Sequence, residues 1–335
     1  MLKGKQYLFN NKNILVTGGT GSIGTEIVKR LLRARPNIVR IFSNDENAQF
    51  NLQQELKGNK NVRFLLGDIR DKERLKKAVE NIDIVFHAAA LKHVTGCEYN
   101  PFEAIKTNVI GTQNIIEAAI EEEVEKLITI STDKAVNTIN VMGATKLLAE
   151  RLTISANYYK GLRKTIFSCV RFGNVLDSRG SVVSIFKRQI QNGGPVTITD
   201  PKMTRFIISL PRAVDLVLEA GVKAKGGEIF IFKMPAVRIG DFAEAMILEL
   251  ASKYGYSPAT IKLKIVGKRE GEKNYEELLT YDEAASAYET EDMFIIVAGR
   301  KNKKSKRLSL EKYISNCKSL LSKNLIRKII KDSIR

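Results

Sequence analysis

An acidic and a basic side chain are adjacent in the stretch STDKAVNTINVMGATK, residues 131–146. Asp133 and Lys134 together offer a proton donor and a proton acceptor, the pair that an elimination reaction requires. If Lys134 is the base of the two, it must be neutral, and we then expect burial or a nearby cation to lower its pKa. Lys146 is the candidate cation. The alternative is a solvated ion pair in a loop, with no catalytic role.

A second chemical signal is the glycine-rich stretch TGGTGSIG at 17–24. It follows an apolar run and opens an amphipathic one, which is the strand-loop-helix context of a dinucleotide site. Glycines in this spacing allow a tight turn, leave room for a pyrophosphate and let the helix pack closely on the strand. The N-terminus of the helix then faces the phosphates. The stretch alone would also be compatible with a tight turn and nothing more. The predicted cofactor contacts in it are Gly18, Thr20, Gly21, Ser22, Ile23 and Gly24.

The end of the second predicted strand bears on which dinucleotide binds. An acid there binds the ribose hydroxyls of NAD and repels the 2′-phosphate of NADP. Ser43 and Asn44 are uncharged donors, which favours NADP, whereas Asp45 keeps NAD as the less favoured choice. Asp68, after the third strand, is placed to bond the adenine. Each of these could instead be a solvated turn residue.

These residues require a parallel sheet to bring them together. Apolar runs and amphipathic stretches alternate through the first half, which predicts a doubly wound α/β sheet of the Rossmann type. We predict strands over 13–17, 38–43, 62–67, 82–87, 126–130 and 165–170, and helices over 22–33, 47–56, 72–80, 102–121 and 143–159. After Arg171 the alternation stops, so we expect no regular extension of the sheet. The predicted domains are 1–175 for the cofactor, 176–298 as a smaller substrate-binding lobe, and 299–335 as a basic tail.

The charge is concentrated in that tail. The chain carries a formal charge of +18, and residues 300–335 contain thirteen Lys or Arg against two acidic residues. Leucines and isoleucines recur there at helical spacing, which predicts a basic amphipathic helix that contacts a membrane surface, or one that packs on its own or a neighbouring subunit. No recognition motif accompanies the basic run, so nucleic acid is not predicted as a partner.

Other classes are disfavoured by the composition. The chain has no apolar run of the roughly 18 residues that span a bilayer and no secretory signal, so we expect a cytoplasmic protein, with peripheral contact to the inner membrane face as an addition. Three scattered cysteines argue against a disulfide framework. His87, His93 and Cys97 lie close together, but no fourth ligand is spaced to complete a tetrahedral site, and no metal site is predicted.

Taken in order, these motifs resemble the extended short-chain dehydrogenases/reductases: TGGTGSIG, GDI at 67–69, HAAA at 87–90 and NVIGT at 108–112. More narrowly, the chain resembles UDP-N-acetylglucosamine 4,6-dehydratases, closest to the soluble, C5-inverting, capsule type. That likeness rests on AALKHV at 89–94, EYNP at 98–101, STDKA at 131–135, VRFGNV at 170–175, TDPKMTRF at 199–206 and REGEK at 269–273. It extends from Lys3 to Val297 and leaves the tail uncovered.

The resemblance implies an internal redox reaction: oxidation at C4, loss of water across C5 and C6, and return of the hydride to C6. It makes Lys134 the C5 base, Asp133 the acid, and Lys146 a contact to the nicotinamide ribose. It adds Ile69, Ala88, Ala89, Lys92 and Asn108 to the cofactor site. Toward a UDP-sugar it implies Lys92 and Asn174, with Arg205 and Arg269 on the diphosphate and Glu272 on the uridine ribose. A homo-oligomer is a further implication.

Met142 departs from the family pattern. Extended members carry Tyr-x-x-x-Lys on one helix face, where the tyrosine withdraws a hydroxyl proton. The thioether of Met142 cannot do so, and Thr132 or Asp133 is close enough in sequence to take over. Two rivals therefore stay open: a UDP-sugar 4-epimerase, which would not need the Asp-Lys pair, and a non-catalytic NADP-binding regulator. The sequence leaves C5 inversion and C5 retention open.

Overall fold

The computed structural model describes residues 6–297 and 308–333. Its strands are short, and those of the first half are mostly buried apart from the edge strand at 62–66, as expected for a sheet covered on both faces. The fourteen strands within the described residues are β1 (Asn13–Thr17), β2 (Ile38–Ser43), β3 (Val62–Leu66), β4 (Ile84–His87), β5 (Lys126–Ile130), β6 (Ile166–Arg171), β7 (Asn174–Val175), β8 (Val196–Ile198), β9 (Thr204–Ile208), β10 (Glu228–Phe232), β11 (Ala236–Arg238), β12 (Leu263–Ile265), β13 (Tyr288–Glu289) and β14 (Met293–Val297).

Several helices begin where the sequence supplies a capping side chain. The carboxylate of Asp71 accepts from Arg74 N, and the Asn140 side chain accepts from Gly143 N. Such caps satisfy amides that the first helical turn leaves unpaired. The α-helices are α1 (Ser22–Leu32), α2 (Glu46–Glu55), α3 (Lys72–Val79), α4 (Val94–Tyr99), α5 (Pro101–Ala104), α6 (Gly111–Glu121), α7 (Val141–Tyr159), α8 (Val182–Gln191), α9 (Leu210–Lys223), α10 (Ile239–Leu250), α11 (Tyr281–Ser286), α12 (Leu310–Tyr313) and α13 (Lys323–Ser333). A π-helical segment, Ile105–Ile110, joins α5 to α6.

The main sheet has nine strands in the order β3-β2-β1-β4-β5-β6-β10-β14-β13. The first six follow the 3-2-1-4-5-6 order of dinucleotide-binding sheets and are parallel. The order reverses between β1 and β4, and such a reversal opens a crevice at the carboxyl ends of the strands. The predicted doubly wound Rossmann-type sheet is confirmed.

The expectation that the segment after Arg171 does not extend the sheet regularly is wrong for β10. β10 adds in parallel to β6, and β14 and β13 continue antiparallel beyond it. The apolar side chains of β10 and β14 join the same hydrophobic core as β1, and burial of this apolar surface stabilises their return to the sheet. The smaller lobe is built from the intervening segments, with the sheets β7-β9-β11 and β8-β12. The predicted domain boundary at 175 stays a prediction.

Arg171, at the end of β6, ties the two parts of the chain together. It is 1% exposed and pairs with Glu150 of α7 at 2.7 Å and with Glu283 of α11 at 2.9 Å. A buried guanidinium requires this degree of pairing, because an unpaired buried charge is strongly destabilising. The network fixes α7, which carries Met142 and Lys146, against the segment after the REGEK motif.

The described part of the tail packs on the smaller lobe. Ile326 and Ile330 of α13 are buried in one apolar cluster with residues of α10. Arg327 and Lys331 pair with Glu249 of α10. The apolar face of α13 is thus buried within its own subunit, as in the predicted arrangement in which the helix packs on the protein. Insertion of this face into a membrane would require α13 to detach. The basic run at 301–307 lies outside the described residues.

Candidate active site

A cavity of about 790 Å³ opens at the carboxyl ends of the parallel strands, between the sheet and the smaller lobe. Its position is the one expected from the strand reversal, and its size is in the range of small-molecule sites. Its lining includes Gly18, Gly21, Ser22, Ile23, Gly24, Ala88, Lys92, Thr132, Lys134, Met142, Lys146, Asn174, Arg205, Arg269 and Glu272. The structure therefore brings most of the predicted site residues to one surface, although they come from distant parts of the sequence.

The glycine-rich loop fits a dinucleotide because its backbone leaves no space for side chains. Gly18 has φ +62°, and a Cβ there would lie 2.7 Å from the backbone of Ala89. A Cβ at Gly24 would lie 2.2 Å from Gly18 O. Gly21 immediately precedes α1, so the first amides of that helix face the cavity. The close approach and the helix N-terminus together form a cradle for a pyrophosphate.

The predicted adenosine contacts lie at the next strand ends and are joined to one another. Thr20 and Ser43 are buried and share a hydrogen bond of 2.7 Å between their hydroxyls. Asn44 donates to Asp68 Oδ2 at 3.1 Å. The carboxylate of Asp45 accepts from Ala48 N at 2.9 Å and so caps α2. Asp68 also pairs with Arg70, whose contacts help to lower the pKa of Asp68 although burial opposes this.

Two predicted cofactor contacts serve the protein itself. Asn108 is buried, accepts from Leu91 N at 2.8 Å and donates to Leu91 O at 2.9 Å, so it holds the loop after β4. It does not belong to the cavity lining. Ile69 is also buried and packs against the helix at Gly111. Lys92 does reach the cavity, where its Nζ donates to Arg179 O at 2.6 Å. Burial, with the nearby Arg179, lowers the pKa of Lys92.

The acid-base pair lies in a single 3₁₀ turn, Asp133–Ala135, that follows β5. Thr132 caps this turn, and its hydroxyl donates to Asp133 Oδ1 at 3.0 Å. Lys134 Nζ lies 3.0 Å from the same oxygen and 3.4 Å from Asn174 Oδ1. Asp133 is fully buried and is not part of the cavity lining, whereas Thr132 and Lys134 are.

The expectation of a lowered pKa for Lys134 is wrong for this state of the site. Burial disfavours the ammonium form, but the carboxylates of Asp133 and Glu276 outweigh it, and the pKa of Lys134 is raised. Lys146 is not the cation that acts on it; the nearby cation is Arg205. Lys146 itself is buried, donates to Ile130 O at 2.6 Å, and its pKa is lowered to about 8 by burial.

Met142 is 3% exposed, lies in the first turn of α7 and lines the cavity. It belongs to a small apolar cluster with Cys97 and Ala104. The side chain therefore occupies the place that the family pattern gives to tyrosine, one helical turn from Lys146. The hydroxyl of Thr132 and the Lys134 ammonium are the polar groups that the neighbouring turn offers to the same cavity.

The predicted substrate contacts differ in how freely they can bind. Arg269 is exposed at the cavity, and its backbone N donates to Glu272 Oε2 at 3.2 Å. Arg205 is buried, and its guanidinium donates to the carbonyls of Thr204 at 2.8 Å and Lys273 at 2.9 Å. Most of its donor capacity is thus used within the protein. Arg269 is the freer of the two toward a diphosphate.

Two residues at the cavity were not found by sequence reasoning. Glu276 places Oε1 3.3 Å from Lys134 Nζ, a contact between segments far apart in the chain that no local spacing signals. Arg179 donates its backbone N to Ser22 Oγ at 2.9 Å and its side chain to Thr20 O, so the loop before α8 closes on the glycine-rich loop. The pattern Ser-Arg-Gly-Ser at 178–181 is typical of a turn and gives no local sign of this contact.

Comparison with known proteins places this geometry in a family. Residues 14–298 match the family described as polysaccharide biosynthesis protein. The chain belongs to that family. The predicted resemblance to extended short-chain dehydrogenases/reductases and to the 4,6-dehydratases among them is confirmed. No helix in the described ranges is long and apolar enough to cross a membrane.

Its relatives differ in their named activities. An uncharacterised membrane protein of Methanocaldococcus jannaschii is 61% identical over 97% of this chain and 96% of its own. A UDP-N-acetylglucosamine 4,6-dehydratase (inverting) of Campylobacter jejuni is 46% identical over 86% of this chain and 84% of its own. A UDP-glucose 4-epimerase of Rickettsia canadensis is 40% identical over the same shares.

Solved structures agree with the fold. The structure of Pen from Bacillus thuringiensis is 47% identical and superposes with a TM-score of 0.92, covering 97% of this chain and 98% of that one. DesIV, a dTDP-glucose 4,6-dehydratase from Streptomyces venezuelae, superposes with a TM-score of 0.69 at 20% identity, covering 78% of this chain and 86% of that one. At that identity, DesIV supports the architecture alone.

Proposed function

We propose that this protein is an NADP-dependent UDP-N-acetylglucosamine 4,6-dehydratase that inverts C5 and serves surface polysaccharide or glycan synthesis. The observation that carries the proposal is the Asp133–Lys134 turn, which presents Lys134 Nζ to the cavity beside the glycine-rich loop. An epimerase needs only oxidation and reduction at C4, whereas loss of water needs a base at C5. The named activity of the 46% identical relative supports the same choice, including inversion.

The chain's own residues would hold and move protons around the sugar. A bound dinucleotide, with its pyrophosphate held by the loop of Gly18, Gly21 and Gly24, would supply a nicotinamide that accepts and returns a hydride. With C4 at the ketone level, Lys134 in its neutral form would take the C5 proton, and the C6 hydroxyl would leave with a proton from Asp133. The electron pair of the C5–H bond forms the C5–C6 double bond as the C6–O bond breaks. Lys134 would then return a proton to C5.

The proton balance suggests how the site works without a tyrosine. The C4 hydroxyl loses one proton when C4 is oxidised, and the departing C6 hydroxyl gains one. Thr132 donates to Asp133 Oδ1 at 3.0 Å, so a proton taken from the C4 hydroxyl through Thr132 would reach the carboxylate that later protonates the leaving group. We infer that Thr132 and Asp133 together replace the missing phenol at Met142.

NADP is preferred over NAD because of the groups at the end of β2. The carboxylate of Asp45 accepts a hydrogen bond from the first turn of α2, so it is not available to bind the ribose hydroxyls of NAD. Ser43 and Asn44 remain as neutral groups there, and a neutral strand end accepts a 2′-phosphate more readily than an acidic one. Turnover with each cofactor at equal concentration would decide the preference.

A UDP-sugar is expected to lie across the smaller lobe, with Lys92 and Asn174 near the sugar and Arg269 on the diphosphate. We further infer a homo-oligomer, because large apolar side chains are exposed on α4, α5, α7 and the π-helical segment: Tyr99, Phe102, Ile110, Leu148 and Tyr158 are among them. Exposed apolar surface of this kind marks interaction sites. Sedimentation of the wild type and of Phe102→Glu would test the association.

We also propose that the protein is located in the cytoplasm.

Proton NMR of UDP-N-acetylglucosamine incubated with the enzyme and catalytic NADP⁺ tests the function directly. A new C6 methyl signal establishes dehydration, and the coupling of H5 reports inversion or retention. A C4 epimer without a methyl signal would establish the rival function, the UDP-sugar 4-epimerase, which the name of the 40% identical relative keeps in view. If neither product forms although the cofactor binds, both the dehydratase and the epimerase function are refuted.

A further inference from the structure

Glu276 lies in a buried cluster of charges at the wall of the cavity. Its side chain is 3% exposed, and Oε1 lies 3.3 Å from Lys134 Nζ and 3.8 Å from Arg205 Nε. Oε2 is buried without a hydrogen-bond partner among the residues that the structure describes. Burial of such an unpaired oxygen costs far more free energy for an ionised carboxylate than for a protonated carboxyl group. The geometry therefore suits a carboxyl group that gains and loses a proton.

Lys134 needs a nearby group that can accept its proton and return it. Between the carboxylates of Asp133 and Glu276 it is held as an ammonium, with Nζ–Oδ1 and Nζ–Oε1 distances of 3.0 Å and 3.3 Å. An ammonium cannot take a proton from carbon. Releasing the proton to water would leave the carboxylates of Asp133 and Glu276 without the ammonium group that pairs with both at close range, which low-dielectric surroundings disfavour. Passing the proton to Glu276 leaves the charge of the pair unchanged.

We propose that Glu276 is a positioning residue that prepares Lys134 for catalysis by accepting the proton of its ammonium group. This inference rests on the proposed dehydratase function. The Nζ–H bond breaks and an O–H bond forms on Glu276, giving a neutral amine and a neutral carboxylic acid. The amine takes the C5 proton, later returns a proton to C5, and finally regains its original proton from Glu276. No proton is gained or lost over the cycle.

The surroundings of Glu276 support this exchange. The groups facing it are Lys134 and Asp133 from the 3₁₀ turn, Arg205 from β9, and Lys273 from the loop before it. Burial raises the pKa of Glu276, with Asp133 adding to the effect, although the three cations oppose it. A raised carboxyl pKa favours the protonated form of Glu276, which internal transfer requires.

The tail segment fixes the position of Glu276. Glu276 N donates to Ser315 Oγ at 2.9 Å, and Ser315 N donates to Glu276 O at 2.9 Å. Ser315 is fully buried, and its hydroxyl also bonds the hydroxyl of Thr204 at 2.7 Å. The segment that follows the basic run at 301–307 in the sequence thus supports the backbone of this site residue, in addition to packing on the smaller lobe.

The pH dependence of Glu276→Gln tests the proposal, because glutamine keeps the shape but cannot accept the proton. In the wild type, internal transfer exchanges no proton with solvent, so kcat should be flat around pH 7. In the variant, Lys134 must lose its proton to water; kcat should fall by about 100-fold or more at pH 7 and rise about tenfold per pH unit. Glu276→Asp should keep the flat profile.

Glu228→Gln is the matched control, because Glu228 is also buried but lies on β10 and bonds Ser168. It should leave the wild-type profile unchanged. A flat profile in Glu276→Gln, at either the wild-type rate or a uniformly reduced one, would overturn the proposal. A reduced but flat profile would mean that the carboxylate only supports the structure.

A second measurement does not depend on turnover. Wild-type and Glu276→Gln proteins with ¹³C-labelled lysine would be titrated by NMR, and the Lys134 signal identified by its loss in Lys134→Met. In the wild type, the chemical shift of Lys134 should change in two pH ranges, its own and that in which Glu276 titrates. In the variant, the pKa of Lys134 should be lower because one neighbouring carboxylate is gone. Identical titrations would refute the coupling. If the wild type forms no methyl product, the proposed function fails by itself and this titration still decides the role of Glu276.

Discussion

Replacing Gly24 with alanine should destroy the dinucleotide cradle while leaving the rest of the fold in place. The new Cβ would lie 2.2 Å from Gly18 O and 2.7 Å from Gly19 Cα. Non-bonded atoms prefer separations of about 3.5–4.0 Å, so α1 must shift by about 1 Å from the loop. Overpacking of this kind costs about 1–3 kcal/mol. If the shift falls on the phosphate cradle, NADPH should bind about 10- to 100-fold more weakly.

Titration of NADPH fluorescence would measure the affinity, with thermal unfolding as a check on the fold. Gly96→Ala is the matched control: Gly96 lies in α4, and the nearest atom to its new Cβ is His93 Cβ at an ordinary 3.6 Å. That variant should bind NADPH normally and be more stable by up to about 1 kcal/mol. An affinity of Gly24→Ala within about threefold of the wild type would refute the argument that backbone contact shapes the site.

Three further predictions follow from the site and the tail. Lys134→Ala should lower the rate of methyl-product formation by about 10²- to 10⁴-fold without changing NADPH affinity, and full activity would remove Lys134 as the C5 base. Arg269→Glu should weaken UDP binding by calorimetry at least about tenfold, whereas Arg163→Glu, also exposed, should not; equal affinities would remove Arg269 from the diphosphate site. Ile326→Asp should lower the free energy of unfolding by about 3 kcal/mol, because Ile326 is fully buried. Its neighbour Leu325 is 50% exposed, so Leu325→Asp should change stability little, and equal losses would contradict the packing of α13.

Local sequence signals were sufficient for the elements that open the site. The strand at 13–17 and the glycines that follow it were predicted because a parallel strand is apolar throughout and a tight turn needs glycine, both properties of neighbouring residues. The predicted limits of α1 and α3 agree with the structure to within a residue. The adjacent Asp133 and Lys134 were found for the same reason: the chemistry is visible in a dipeptide.

Charge states were not predictable in this way. The expected fall in the pKa of Lys134 was wrong because Glu276, from a segment far along the chain, adds a second carboxylate. Which cation lies near Lys134 also depends on folding, since Arg205 takes the place that sequence proximity suggested for Lys146. A pKa is set by distances and burial, and these exist only once the segments have packed.

The sequence by itself determined the Rossmann-type sheet, the nucleotide loop and the acid-base dipeptide, because each is encoded in residues that are close together in the chain. Only the tertiary structure decided that β10, β13 and β14 return to the sheet, that Asn108 holds a loop, and that Ser315 of the tail supports Glu276. These contacts join distant segments, and their partners are selected by the burial of apolar surface and the pairing of buried polar groups across the whole fold.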